Sequence, residues 1–308
     1  MSIGKELLAA QRARFGAVDR LLPEPAPPAA GERLDAATAG GGQVSGILQR
    51  QVHGPGELPM LWSAAEVWQL FPYPGGSGVE GMDVLLRAWR ARLDAENPGA
   101  DSACVVNWPS QDTEAIRAFL DHGMVALSCL AVRTGLPPAG KPPGGVVIRR
   151  AGPRDFDAAL ALSGATFDYA GLVASAWRPN TAALLSPGLS EALGEENPAI
   201  WLAERAGTPV ALAHYGWVDS TLGSPEGELL PPGLWGYVNN VVTAPEARGT
   251  GVGRALMSHV HAELRAEGAA GTYLYYNPPN PLSSVFWHRQ GYRPLWTSWE
   301  ARPAGRLR

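Results

Sequence analysis

Residues 234–276 constrain the fold more than any other stretch. "LWGYVNNVVT" has the β-branched and aromatic content of a strand, and Pro245 stops it. "EARGTGVGRAL" follows with glycines at Gly249, Gly251 and Gly253, and a helical period then runs from about 251 to 267. Within it Val252, Leu256, Val260 and Leu264 fall four apart with Met257 alongside, which marks one buried face. "GTYLYYN" reads as the next strand. A strand, a glycine loop, a helix and a second strand in this order form a single structural unit.

The flanking sequence extends that unit. "AIWLAER" and "PVALAHYGWVD" form a hairpin joined around "AGT". Before it lie a strand at 146–150, a helix near 154–166 and a weakly patterned helical stretch to about 193. After it come a helix in "PLSSVFWHRQ", Gly291 as its C-cap, and two strands, "YRPLW" and "SWEAR". The expected class is α/β, more closely an α+β mixed sheet with helices on both faces.

The chain has 308 residues, enough for two cores. "TGLPPAGKPPGG" has the stiff, polar character of a linker. Domains are expected at 1–136 and 146–308, joined by 137–145. A net charge of −4 argues against nucleic acid or an anionic membrane as the main partner. Lys5 and Lys141 are the only lysines, so nearly every cation is an arginine. Cys104 and Cys129 sit in apolar strand-like runs and read as buried reduced thiols. The first residues lack a signal-peptide pattern and no segment approaches a membrane span, so a cytoplasmic protein is expected.

The glycine loop fits neither established phosphate-loop spacing. A P-loop needs Gly-Lys-Ser/Thr, which is missing, and Gly249, Gly251 and Gly253 alternate where a dinucleotide fingerprint needs G-x-G-x-x-G. Read alone, the loop is either an anion cradle at a helix N-terminus or a turn that permits close packing. His214, in "LAHYGW", is either a proton relay of near-neutral pKa or a hydrogen-bonded sheet histidine. Asn240 either orients substrate or water or ends strand pairing. His259 and His261 lack metal spacing and read as solvent-facing, and no metal site is expected. Tyr215, Trp217, Trp235, Tyr237, Tyr275, Tyr276, Trp296 and Trp299 either line a groove or belong to the core.

"NNVVTAPEARGTGVGRAL" resembles the acetyl-CoA signature of the GNAT superfamily of acyl-CoA-dependent N-acyltransferases, with Arg248, Gly251 and Gly253 in its [RQ]-x-x-G-x-[GA] pattern. "NPLSSVFWHRQGY" resembles a second family element, with Asn280, Ser283, Trp287, Gly291 and Tyr292 in register. The likeness covers about 146–302. It implies acetyl-CoA or a related acyl-CoA as co-substrate and a small-molecule amine as acceptor, in a monomer or homodimer. Main-chain N–H groups of Gly249, Thr250, Gly251, Val252, Gly253 and Arg254 would hold the pyrophosphate, with Arg248 leading the cofactor loop. Val241, Val242 and Thr243 would pair with the pantetheine, and Asn280, with Ser283 and Trp287 on the same helix, would flank the cofactor arm.

The resemblance leaves the catalytic groups less complete. Trp287 stands where many relatives carry an acidic tyrosine, and an indole N–H is a poor acid. Tyr275 stands where some carry a glutamate base. Tyr275, His214 and Asn240 are therefore the candidate catalytic residues. An N-acetyltransferase is expected, with a non-catalytic acyl-CoA-binding or regulatory protein as the alternative. Residues 1–136 resemble a degenerate second copy: "YPGGSGVEGMDVLLRAWRARL" keeps Gly75, Gly76 and Gly78 at the loop position but places Glu80 and Asp83 beside them. An unrelated accessory domain is the alternative there.

Overall fold

A computed structural model describes residues 3–135, 142–173, 178–222 and 226–308. The elements of the first half are α1 (Lys5–Val18), β1 (Glu32–Ala37), β2 (Gln43–Val52), β3 (Glu66–Tyr73), α2 (Gly78–Glu96), β4 (Ser102–Pro109), α3 (Thr113–Asp121) and β5 (Val125–Arg133). The second half continues with β6 (Val146–Arg150), α4 (Phe156–Val173), α5 (Thr181–Gly194), β7 (Ile200–Arg205) and β8 (Thr208–Asp219). It ends with β9 (Leu234–Thr243), α6 (Val252–Ala266), β10 (Gly271–Tyr276), α7 (Pro281–Arg289) and β11 (Arg293–Ala301). Most of the expected linker, 137–141, lies outside the described residues.

The chain divides into two compact units. One comprises Met1–Leu130, Glu228–Pro231 and Pro294–Arg308; the other comprises Ala131–Gly227 and Pro232–Arg293. In the second unit the strands run in the order β6-β7-β8-β9-β10, antiparallel up to β9 and parallel between β9 and β10. This is the mixed sheet expected from the strand order. One face carries α4 and α5 over Ala159, Leu189, Leu193, Ile200, Leu202, Leu212 and Val242. The other carries α6, whose Val252, Leu256, Met257, Val260 and Leu264 are all fully buried, as the four-residue spacing predicts. Each such side chain contributes about 1.5–3 kcal/mol when it leaves water. Gly236 on β9 makes room for α6, since a Cβ there would lie 2.8 Å from Leu264.

The first unit has the strand order β1-β2-β3-β4-β11-β5, with β3 and β4 parallel. Two features differ from the expected segmentation. The segments "YRPLW" and "SWEAR" are one continuous strand, and that strand pairs antiparallel with β4 from Trp296↔Pro109 to Ala301↔Cys104. Pro294–Arg308 thus lies with the first unit, although it follows the expected 146–308 boundary in sequence. Alternation of apolar residues specifies a strand and its buried face, but does not name the partner strand. No helix among the described residues is long and apolar enough to cross a membrane.

Candidate functional site

The loop between β9 and α6 is built from three local requirements. Gly249 and Gly251 hold φ of +75° and +85°, left-handed values that side chains disfavour. Gly253 is needed for space, because a Cβ there would lie 2.9 Å from Thr243 Oγ1 and 3.6 Å from the Phe286 ring. Gly251 is the N-cap of α6 and supplies no side-chain acceptor. The first main-chain bond of the helix runs from Ala255 N–H to the Gly251 carbonyl, 3.0 Å. The N–H groups of Val252, Gly253 and Arg254 precede it and lack a helical acceptor. Arg248, Gly249 and Thr250 are exposed, so the turn is open to solvent.

Positive charge gathers around these donors. Arg205 donates through Nη2 to Thr250 Oγ1 at 3.2 Å, and Arg248 donates through Nε to the Thr243 carbonyl at 3.1 Å. Among the described residues no carboxylate pairs with Arg205, Arg248 or Arg254. Three guanidinium groups whose charge no carboxylate among the described residues neutralises, beside the positive end of a helix, suit a diphosphate.

Next to the loop the sheet opens. β9 and β10 stay in register from Trp235↔Gly271 only to Tyr237↔Tyr273, whereas β9 remains paired with β8 as far as Thr243↔Ala211. Ala244 N–H donates to the Val210 carbonyl at 2.8 Å. Alternation puts Val242 on that same side, so Val241 and Thr243 turn their N–H and C=O groups toward the gap that β10 leaves. Val241 and Thr243 therefore offer strand-like hydrogen bonds along an open edge. Val242 does not; its side chain packs in the α4–α5 core.

A β-bulge places the candidate catalytic side chains. His214 lies opposite Asn240 and Tyr215 lies opposite Val238, which leaves Asn239 as the extra residue of β9. Before the bulge, Gly236 faces α6, so Tyr237 faces the other way. After it, Val242 faces α4 and α5, and so does Asn240 two residues earlier. The extra residue reverses the alternation. Tyr237, Asn240 and His214 consequently share the face opposite α6, where Tyr273 and Tyr275 join them.

There Tyr237 and Tyr273 stack at 4.8 Å, and Tyr275 meets both rings edge-on at 6.2 Å. The Tyr273 hydroxyl is buried and has no hydrogen-bond partner among the described residues. Burial, then the charge of Glu226, pushes the Tyr237 phenol up to about 12; burial, then the neighbouring phenols and last Glu226, raises those of Tyr273 and Tyr275. Glu226 is a carboxylate that sequence reasoning missed, because it lies in an unpatterned loop between β8 and β9. Burial lowers the His214 pKa and keeps the ring neutral. The Asn239 amide approaches His214 Nδ1 at 3.4 Å.

On α7, Asn280 is the N-cap: its Oδ1 accepts from Leu282 N–H at 3.0 Å and Ser283 N–H at 3.2 Å. The Ser283 hydroxyl turns back to the Asn280 carbonyl at 3.4 Å. Trp287 is buried edge-on against Phe286 at 4.8 Å and Tyr292 at 5.3 Å. Phe286, not Trp287, lies against the position of Gly253.

The two helix histidines are not solvent-facing. His261 is fully buried, bonded to the Tyr292 hydroxyl at 2.9 Å and approached by Arg133 Nη1 at 3.4 Å. His259 packs on Trp201 with ring centroids 4.1 Å apart. A hydrophobic helical face that widens past one stripe takes its neighbours into the core with it. Cys104 and Cys129 are buried thiols outside any disulfide among the described residues, and burial pushes the Cys104 thiol up, away from any nucleophilic role. Among the described residues no group of His, Cys, Asp and Glu is placed to hold a metal ion.

Residues 169–292 match the model of the acetyltransferase (GNAT) family. The crystal structure of a GCN5-related N-acetyltransferase from Sphaerobacter thermophilus is similar over 90% of this chain and 83% of its own, with 16% identity and a TM-score of 0.57. The likeness therefore spans both halves of the chain. A GCN5-related N-acetyltransferase from Kribbella flavida matches over 99% of this chain and 98% of its own at 16% identity and a TM-score of 0.47. A predicted acetyltransferase with acetyl-CoA from Clostridium acetobutylicum matches over 48% and 90% at 18% identity and a TM-score of 0.38. The second unit holds the greater part of an acetyltransferase (GNAT) domain, and the chain is an acyltransferase.

Proposed function

From a domain of that family, we propose that the second unit transfers an acetyl or related acyl group from acyl-CoA to the amine of a small molecule by direct attack. The observation that carries this reading is the meeting of two unfilled hydrogen-bonding surfaces. One is the bare turn Gly249–Arg254; the other is the open edge of β9 at Val241 and at the N–H of Thr243. Arg248 joins them, since its guanidinium bonds the Thr243 carbonyl. The first surface suits a diphosphate and the second suits an amide-bearing arm.

Acyl-CoA supplies an activated carbonyl. The chain supplies donors at the open edge of β9, which polarise that carbonyl and stabilise the negative oxygen as the C–N bond forms; the intermediate then collapses with cleavage of the C–S bond, and CoA leaves as the thiol carrying the proton that the amine gives up. The acceptor arrives on the opposite face, among Tyr237, Tyr275, His214 and Asn240. Glu226 attracts it as an ammonium ion. His214, kept neutral by burial and approached at Nδ1 by the Asn239 amide nitrogen, is the group on this face that can take a proton from the amine. Tyr275 keeps its proton at neutral pH, so it serves as a donor and not as the base. Asn280 holds the start of α7 in place.

Free-thiol release from acetyl-CoA over an amine panel tests the reading. Release with at least one amine is expected. Binding without release from any amine instead supports a non-catalytic acyl-CoA-binding protein, the reading favoured by a buried indole at Trp287. Under that second reading Trp287→Tyr creates activity or changes nothing measurable.

A further inference from the structure

The first unit repeats the order strand, glycine turn, helix, parallel strand, helix in β3, Gly75–Ser77, α2, β4 and α3. Its parallel pair also opens. β3 and β4 are in register from Glu66↔Ser102 to Gln69↔Val105, after which Leu70–Tyr73 keeps β2 and loses β4. The topology thus makes a second slot of the kind that lies beside β9. In the first unit that slot is filled.

α1 fills it along its whole length. Gln11, 2% exposed, donates through Nε2 to the Pro72 carbonyl at 3.4 Å, on the strand edge that β4 has left. Phe15, 5% exposed, meets Trp108 of β4 at 5.6 Å and Trp296 of β11 at 5.4 Å, both edge-on. Leu7 covers the glycine turn, where a Cβ on Gly75 would lie 2.8 Å from its Cδ2. What remains is a cavity of about 100 Å³, lined by Phe15, Phe71, Tyr73, Trp108, Leu229 and Trp296.

The phosphate end is occupied by the chain's own anions. Glu114 Oε2 lies 2.9 Å from the Cβ position of Gly78, the first residue of α2. Glu80, in the first turn of α2, accepts from Ala39 N–H at 2.8 Å. Arg14 of α1 bonds both Asp112 oxygens, at 2.5 and 2.7 Å, and Glu114 at 3.2 Å. Asp112 is buried; burial would raise its pKa, but Arg14 and Trp108 hold it below the usual range. An amide bond, a hydrophobic body and a carboxylate thus stand where an arm and a phosphate would lie.

We infer that α1 is a fixed internal occupant of the first unit's cofactor slot, so that the chain binds a single acyl-CoA, in the second unit. This rests on the reading of the second unit given above. Calorimetric titration of the full-length protein with CoA tests it, and one site per chain is expected. Gly253→Val, or the exposed pair Arg248→Glu/Arg254→Glu should folding suffer, abolishes all binding. Hydrogen exchange in α1 is unchanged at saturating CoA. Two sites per chain, one site surviving in either variant, or loss of α1 protection on adding CoA overturns the inference and leaves the second unit's role intact. No heat with the unaltered protein overturns both.

Discussion

Gly253→Ala puts the geometry of the loop under direct test. The new methyl meets Thr243 Oγ1 at 2.9 Å, nearer than side-chain carbons approach an oxygen, and the Phe286 ring at 3.6 Å. Thr243 is a short β-branched side chain on a paired strand and cannot swing away, so the first turn of α6 must lift from β9 by a few tenths of an ångström. Forcing an extra methyl into such a contact costs about 1–3 kcal/mol of stability. The same displacement moves the N–H groups of Val252, Gly253 and Arg254 off the diphosphate. Each hydrogen bond to a charged group contributes about 1.5–3 kcal/mol, so losing one weakens CoA binding about 10- to 150-fold. Calorimetry gives the affinity and a melting curve gives the stability. Thr243→Ala removes the clashing hydroxyl, and in the double variant most of both losses returns. Wild-type affinity and melting temperature in Gly253→Ala, or no recovery in the pair, would refute the close approach of α6 to β9.

Other consequences follow from individual contacts. Glu226→Gln removes a charge worth on the order of 1 kcal/mol at the tyrosine face, raising KM about fivefold for alkylammonium acceptors; steady-state kinetics should show no such rise for an amine that is neutral at the assay pH. Asn280→Ala strips two N–H groups of their cap and lowers stability by about 0.5–2 kcal/mol, read as urea midpoint, while CoA affinity changes little if capping is its main task. His261 is held to a pKa of about 3 by burial and by Arg133. An unfolded histidine near 6.5 takes a proton first, so stability is level above that pH and falls as pH drops toward 3, by about 2 kcal/mol between pH 7 and 5. Urea unfolding at both pH values should show a smaller drop in His261→Gln; an equal drop assigns the effect to other groups.

The second unit was largely legible from local pattern. Four-residue spacing marked the buried face of α6, alternation marked β7 to β10, and glycines at Gly249, Gly251 and Gly253 marked the turn, because each signal arises within a single element. The candidate site was legible only in part. Nothing in "GYVNNVVT" announces that Asn239 is an extra residue, yet that insertion brings His214 and Asn240 to the face of Tyr237 and Tyr275. Glu226 reaches the tyrosines through a loop without pattern, and His261 looked exposed because a helical stripe does not report how wide its cover is.

Local pattern is enough to assign the strands and helices and the bare turn before α6, since backbone preference and side-chain period are properties of neighbouring residues. Tertiary structure alone decided that β11 joins β4, that a bulge reverses the faces of β9, and that α1 occupies the first unit's slot. Each of these depends on which distant segment wins an open strand edge. That choice is a competition between whole surfaces, and no short stretch of residues records its outcome.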